Sequence, residues 1–231
     1  MKRSVALKGA IALSLLVGLA AFEPAKAEDC PGVATTTTPL PYSVPALEAI
    51  FQSEIGNIPG RKSADLVLVG DSLVQQWDVK LFRPRAAFNF GVGGDRTQNV
   101  LWRLEMPQLM ALRPKDVVVL LGTNNLTAGD EPCAIVAGLQ KVLAAAASVW
   151  PRARLWFIDI PPRGDGFAFR DAARKQTNAG LQGLKPLRTI NVDDAISCNG
   201  KQPCGNYIAD NLHFSPAGYG VLTRLVTSAI R

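Results

Sequence analysis

The chain of 231 residues has one histidine, His213, and no C-x-x-C pair among its four cysteines. Zinc centres built from several His and Cys ligands are therefore a poor fit. No G-x-S-x-G occurs, because the position two after Ser72 is Val74, which excludes the α/β-hydrolase elbow. The absence of Ser-x-x-Lys argues against a serine–lysine enzyme. Gly91-x-Gly93-x-x ends on Arg96 rather than Gly, so the dinucleotide fingerprint fails on spacing. There is no Lys/Arg run of nucleic-acid type after residue 27, and no nucleic-acid partner is expected. No long insertion resembles a lid.

What is present begins with Met1-Lys2-Arg3, a mostly apolar stretch over 10–22, and Ala25-Lys26-Ala27. A basic start, a short apolar core and small-x-small spacing read as a secretory signal peptide, 1–27, cut after Ala27. The apolar stretch is too short for a stable membrane span. Lys2, Arg3, Lys8, Lys26 and Glu23 fall in this segment, so its removal takes the net charge from +6 to +3. About 204 residues then remain, enough for one domain with a sizeable core. A secreted or periplasmic setting permits disulfides, and all four cysteines survive cleavage. Three pairings are possible. Closeness in sequence favours Cys198–Cys204, which leaves Cys30–Cys133.

Residues 28–45 are rich in Thr and Pro and read as an extended arm. The body, 46–231, alternates apolar runs with helical patterns. Strands are expected at 66–69, 87–90, 117–121, 155–160 and, more weakly, 189–192. Helices are expected near 73–82, 97–112, 131–150, 167–185 and 216–230, the last with Pro216 in its first turn and Ser215 as cap. Continuous apolar strands alternating with helices indicate an α/β fold with a parallel sheet covered on both faces. Ligands of such sheets bind beyond the carboxyl ends of the strands.

Four segments in those positions could carry chemistry. Gly70-Asp71-Ser72 follows the first strand and puts a hydroxyl and an unpaired N–H at a helix start, although a plain helix cap would look the same. Asn89-Phe90-Gly91-Val92-Gly93-Gly94-Asp95-Arg96-Thr97 follows the second, where glycines allow either a tight turn or N–H groups aimed into a cleft. Gly122-Thr123-Asn124-Asn125 follows the third and offers amide donors, between which composition does not choose. Asp210-Asn211-Leu212-His213 precedes the last helix. Its three-residue spacing can bring a carboxylate to imidazole Nδ1, with Nε2 facing Ser72 if the loop folds over the first strand. A serine nucleophile needs those two partners, a proton shuttle and an orienting acid.

Together the four segments resemble the four sequence blocks of the SGNH, or GDSL, hydrolase family, in the family's order. The likeness spans roughly residues 65–225. It is nearest to the catalytic-subunit-like branch of platelet-activating-factor acetylhydrolase, through Val69-Gly70-Asp71-Ser72, Asn89-Phe90-Gly91-Val92-Gly93-Gly94-Asp95, Leu101-Trp102-Arg103-Leu104, Leu121-Gly122-Thr123-Asn124-Asn125, Pro162-Arg163-Gly164 and Ala195-Ile196-Ser197-Cys198. The resemblance implies a three-layer α/β/α sandwich of flavodoxin type with a five-stranded parallel sheet. It implies Ser72 as nucleophile, Asp210 and His213 as acid and base, and an oxyanion hole of Ser72, Gly94 and Asn124. It implies ester hydrolysis, often of short acyl groups, without metal or cofactor. A small-molecule, lipid or carbohydrate ester is the expected substrate, and the protein is expected as a monomer or homodimer. The export signal, the Thr/Pro arm, the added Cys-containing stretch at 201–206 and a shorter segment between Ser72 and Gly94 depart from the intracellular enzymes. They leave the natural substrate open. A polysaccharide O-acetylesterase or O-acetyltransferase, a lysophospholipase or thioesterase, and a non-catalytic binding module on the same fold are the rivals.

Overall fold

A computed structural model describes residues 30–56, 58 and 64–231. The expected signal peptide, 1–27, and the first two residues of the arm lie outside the described residues. In chain order the elements are Val33–Thr37 (α1), Pro45–Gly56 (α2), Leu66–Gly70 (β1), Ser72–Gln75 (α3), Ala87–Gly91 (β2), Thr97–Leu104 (α4), Asp116–Leu120 (β3), Thr123–Ala128 (α5), Pro132–Val149 (α6), Arg154–Ile158 (β4), Asp171–Leu181 (α7), Arg188–Ile190 (β5), Asp193–Ile196 (α8) and Pro216–Ala229 (α9).

The strands form one parallel five-stranded sheet in the order β2-β1-β3-β4-β5. Its two faces are written into the strand sequences at a period of two. Val67, Val69, Phe88, Phe90, Val117, Val119, Leu155 and Phe157 face one core, which α2, α4, α6 and α7 cover. Leu66, Leu68, Val118, Leu120, Trp156 and Ile158 face the other, covered by α3, α8 and α9. This is the three-layer α/β/α sandwich expected. β1 lies between β2 and β3, so the chain leaves the first strand to one side and returns on the other. The crevice of such a sheet opens at that reversal. Gly70 pairs with Gly91 on one neighbour and Leu120 on the other, so three loops emerge there side by side.

The structure breaks several of the expected helices. The stretch 73–82 divides into α3 and a 3₁₀ turn at Val79–Phe82, because the Asp78 carboxylate accepts the Lys80 N–H and starts a new turn. The stretch 97–112 divides at Pro107, which opens a second 3₁₀ turn, Pro107–Ala111. The stretch 167–185 shrinks to α7, since Phe167 and Arg170 have positive φ. The arm is not wholly extended. Val33–Thr37 is helical, and Thr36 donates to the Ala134 carbonyl at 2.6 Å. No element was expected over Pro45–Gly56, yet α2 buries Phe51 and Ile55 there.

Both expected disulfides are present, Cys30–Cys133 and Cys198–Cys204. The first spans 103 positions. In the chain-entropy picture a loop that long contributes up to about 4–5 kcal/mol by constraining the unfolded chain. The second, six positions apart, closes a short loop ahead of the His213 segment.

At the amino end of the sheet Asp116 is fully buried. Arg154 holds it through two bonds of 2.8 Å, and Arg85 and the Trp156 indole N–H complete its shell. Arg85 and Arg154 also donate to the Ile230 carbonyl, which fastens the end of α9 to this edge.

Candidate active site

Gly70 closes β1 against β3 so tightly that a Cβ would collide with the Leu120 carbonyl. The strand therefore exits directly into α3. The Asp71 side chain caps that helix by accepting the Leu73 N–H at 2.9 Å. Ser72 is the first helical residue and is half-buried. After β2, Val92 N–H returns to the Gly70 carbonyl and Gly93 N–H donates to Gln75 Oε1 at 3.0 Å. Gly94 follows at φ +82°, a left-handed conformation that suits glycine. Neither the Ser72 nor the Gly94 N–H meets an acceptor among the described residues.

The structure separates the two asparagines. Asn125 is fully buried. It accepts the Thr97 N–H and donates to Asp130 and to the Thr97 hydroxyl. Its polar groups are committed to the fold. Asn124 is partly exposed at the sheet edge, and its amide donates to the Asp95 carbonyl at 3.0 Å. One amide hydrogen is left for a ligand.

The His213 loop folds over the first strand as the spacing allowed. Asp210 Oδ1 accepts the Leu212 and His213 N–H groups, each at 2.9 Å. Its Oδ2 meets His213 Nδ1 at 2.6 Å, and His213 Nε2 meets Ser72 Oγ at 3.0 Å. Partial burial works against the Asp210 charge, but the bonds from the His213 ring and from the two backbone N–H groups outweigh it. The carboxyl is held below its ordinary range. Tyr207 donates to the Pro162 carbonyl, and Gly164 N–H donates to the Asn211 carbonyl, so the loop after β4 braces this segment. Tyr219 of α9 bonds the Leu73 carbonyl, which ties the helix behind the histidine to the helix behind the serine.

A hydroxyl, an imidazole and a carboxylate thus form one hydrogen-bonded chain, with amide donors on the two adjoining loops. Among the described residues no cluster of His, Cys, Asp or Glu is placed to hold a metal. Residues 68–221 match the GDSL-like lipase/acylhydrolase family. The chain is also 34% identical over 178 residues to the platelet-activating factor acetylhydrolase IB subunit alpha1 of Homo sapiens, covering 73% of this chain and 76% of that one. The chain belongs to the GDSL-like lipase/acylhydrolase family. The alpha2 subunit of Rattus norvegicus is 31% identical over 177 residues, covering 71% and 74%. Solved structures share the fold: a lipolytic G-D-S-L family member from Veillonella parvula (TM-score 0.60, 15% identity, 71% of this chain and 96% of that) and a carbohydrate esterase family 3 protein from Talaromyces cellulolyticus (TM-score 0.55, 15% identity, 73% and 96%).

In this GDSL hydrolase, a carboxylic ester hydrolase, residues other than Ser72, Gly94, Asn124, Asp210 and His213 also build the site. Gln75 orients Gly93, and Asn89 bonds the Val74 and Trp77 carbonyls beneath α3. Arg103 is fully buried on a helix that otherwise shows Val100, Leu101 and Leu104 to the core. A cation on an apolar helical face was the visible sign that it has a buried partner.

Asp71 is fully buried, and Oδ2 accepts nothing among the described residues. Burial pushes its carboxyl up to about 7, helped by the nearby Asp95 charge and opposed by the Leu73 N–H and by Arg163. At acid pH, below the ordinary carboxyl value, both folded and unfolded chains hold the proton and no penalty exists. As pH rises toward 7 the unfolded chain releases it first, so the folded state loses ground; above about 7 the loss is complete. Asp71→Asn should therefore melt above the parent at pH 8, and the gap should close near pH 4. Each kilocalorie per mole recovered would give roughly 2–4 °C in a chain of this size. A gap that does not change between those pH values, followed by thermal melts, would contradict the burial argument.

Proposed function

We propose that this hydrolase is an exported serine esterase that removes short acyl groups, acetyl foremost, by a Ser72–His213–Asp210 triad and an acyl-enzyme. The observation that carries the reading is the unbroken hydrogen-bonded chain from Ser72 Oγ through His213 to Asp210. As Oγ bonds the ester carbonyl carbon, its proton passes to His213 Nε2 and the carbonyl electron pair moves onto oxygen. Asp210 stays ionised, holds the ring and stabilises the imidazolium. The N–H groups of Ser72 and Gly94 and the Asn124 amide receive the oxyanion. Collapse breaks the bond to the alcohol oxygen, which leaves with the proton from His213. Water then attacks the acyl-enzyme, gives a proton to His213, and the acid departs as Ser72 recovers its own.

Export is supported by the basic, apolar and Ala-x-Ala pattern of 1–27 and by the two disulfides, which suit an oxidising compartment. In this reading 46–231 is the hydrolase body. The acetyl preference is supported by the relatives named as acetylhydrolases. A second reading, removal of acetyl groups from an envelope polysaccharide, is favoured by the openness of the site. The His213 and Asp210 side chains are 22% and 44% exposed, which leaves room for a polymer. Hydrolysis of p-nitrophenyl esters of increasing chain length tests the acyl assignment. Turnover is expected to be greatest for acetate and to fall steadily beyond butyrate. A clear optimum at long chains would overturn it. Acetate release from an acetylated polysaccharide, with and without an acceptor sugar, separates the polymer reading and acyl transfer from the hydrolysis of small esters.

A further inference from the structure

The residues before the hydrolase body form a strap over the loop that follows β2. Cys30 ties it to Cys133 at the start of α6. The Thr36 carbonyl then accepts the Thr97 hydroxyl at 2.8 Å. Leu40 N–H donates to the Gln98 carbonyl at 3.0 Å, and Asn99 donates back to the Leu40 carbonyl at 3.1 Å. The strap ends on Tyr42, whose ring packs against Trp102 and Phe51 and whose hydroxyl donates to Asp95 Oδ1 at 2.8 Å.

Asp95 is the point on which the oxyanion donors depend. It follows Gly94 directly and is buried. Arg103 grips its Oδ2 and also donates to the Phe90 and Gly70 carbonyls, each at 3.0 Å. The Asp95 side chain is thereby locked to the ends of β1 and β2. Its own carbonyl receives the Asn124 amide. Its N–H donates to the Val92 carbonyl and closes the turn that carries Gly94, so one residue sets both that turn and the orientation of Asn124. Arg103 fastens one carboxylate oxygen, and Tyr42 fastens the other.

We propose that Tyr42 is a positioning residue for the oxyanion hole, acting from the N-terminal strap through Asp95 on Gly94 and Asn124. This rests on the reading of Ser72, Gly94 and Asn124 given above. Without the phenol, Asp95 is held on one side only, and the two donors relax from the place where the oxyanion forms. Such donors act in the transition state more than in the ground state, so the loss falls on kcat rather than KM.

The test is Tyr42→Phe, which keeps the ring contacts and removes one hydrogen bond. Hydrolysis of p-nitrophenyl acetate should show kcat lower by about tenfold, in keeping with a sub-ångström misplacement, and KM within about twofold. End-point labelling with a fluorophosphonate should still count one reactive serine per chain, because the fold and Ser72 are intact. A kcat within about twofold of the parent overturns the proposal. So does a fall in kcat matched by a fall in labelled sites, which is what mere unfolding would give. Ser72→Ala run alongside separates the two layers of the argument. If it keeps its activity, the reading of the site fails, and the strap's role fails with it. If it is inactive while Tyr42→Phe behaves as the parent, only the strap inference fails.

Discussion

Ser72→Ala should lower kcat on p-nitrophenyl acetate by about 10⁴–10⁶-fold, the scale on which triads of this type collapse. In the proposed mechanism the substitution removes the atom that bonds the acyl carbon, and it leaves the fold untouched. Asp71, not Ser72, supplies the side-chain cap of α3, and Ser72 is only half-buried. The melting temperature should therefore stay within a degree or two, and the loss should be one of chemistry. What activity remains would come from the oxyanion donors acting on water, which no longer needs the serine. Fluorophosphonate labelling should vanish with the hydroxyl. Because His213 is the only histidine, imidazole-directed modification should silence the enzyme at a single position. Activity within tenfold of the parent in Ser72→Ala would end the triad mechanism.

Asn124→Ala should cost about 10²–10³ in kcat, or roughly 3–4 kcal/mol, with little change in KM. The amide sits at the rim, holds the Asp95 carbonyl with one hydrogen and has the other to offer. Its neighbour gives the contrast. Asn125→Ala would leave the Thr97 N–H and Asp130 without their partner inside the protein, so its damage should appear first as lowered thermal stability. Paired measurements of kcat and melting temperature on the two variants check the assignment. If Asn125→Ala loses the larger share of kcat at unchanged melting temperature, the roles are reversed.

Most of the sheet could be read from the sequence because its first four strands are largely apolar runs closed by a glycine or proline, whereas Arg188–Ile190 has an exposed, polar start and no such stop. Leu66-Val67-Leu68-Val69 permits few other structures. The Ser72, Gly94, Asn124 and Asp210–His213 segments were equally visible, since each follows a strand or precedes the last helix. Other features did not show in local pattern. The choice between Asn124 and Asn125 depends on Thr97 and Asp130, which only the fold brings near. Pro107 and Asp78 were in plain view, yet a helical period on either side masked the breaks they cause. Tyr42 lies 53 positions from the carboxylate it holds, inside a Thr/Pro-rich stretch whose composition suggested an extended arm. α2 was hidden for the same reason, because the prolines before it draw attention away from Phe51 and Ile55.

Arg85 and Arg154, both paired with Asp116, hold the Ile230 carbonyl at the amino edge of the sheet, while Ser72 stands beyond the carboxyl edge. Five strand residues separate these edges, roughly 16 Å. Arg231 therefore lies at the edge away from Ser72, whereas Cys30 is tied to the start of α6 on the same side as the loops that bear the candidate site. Cargo fused behind Arg231, or a resin coupled there, would leave the mouth around Ser72 turned outward and open to solvent. The same cargo placed ahead of Cys30 would crowd that mouth.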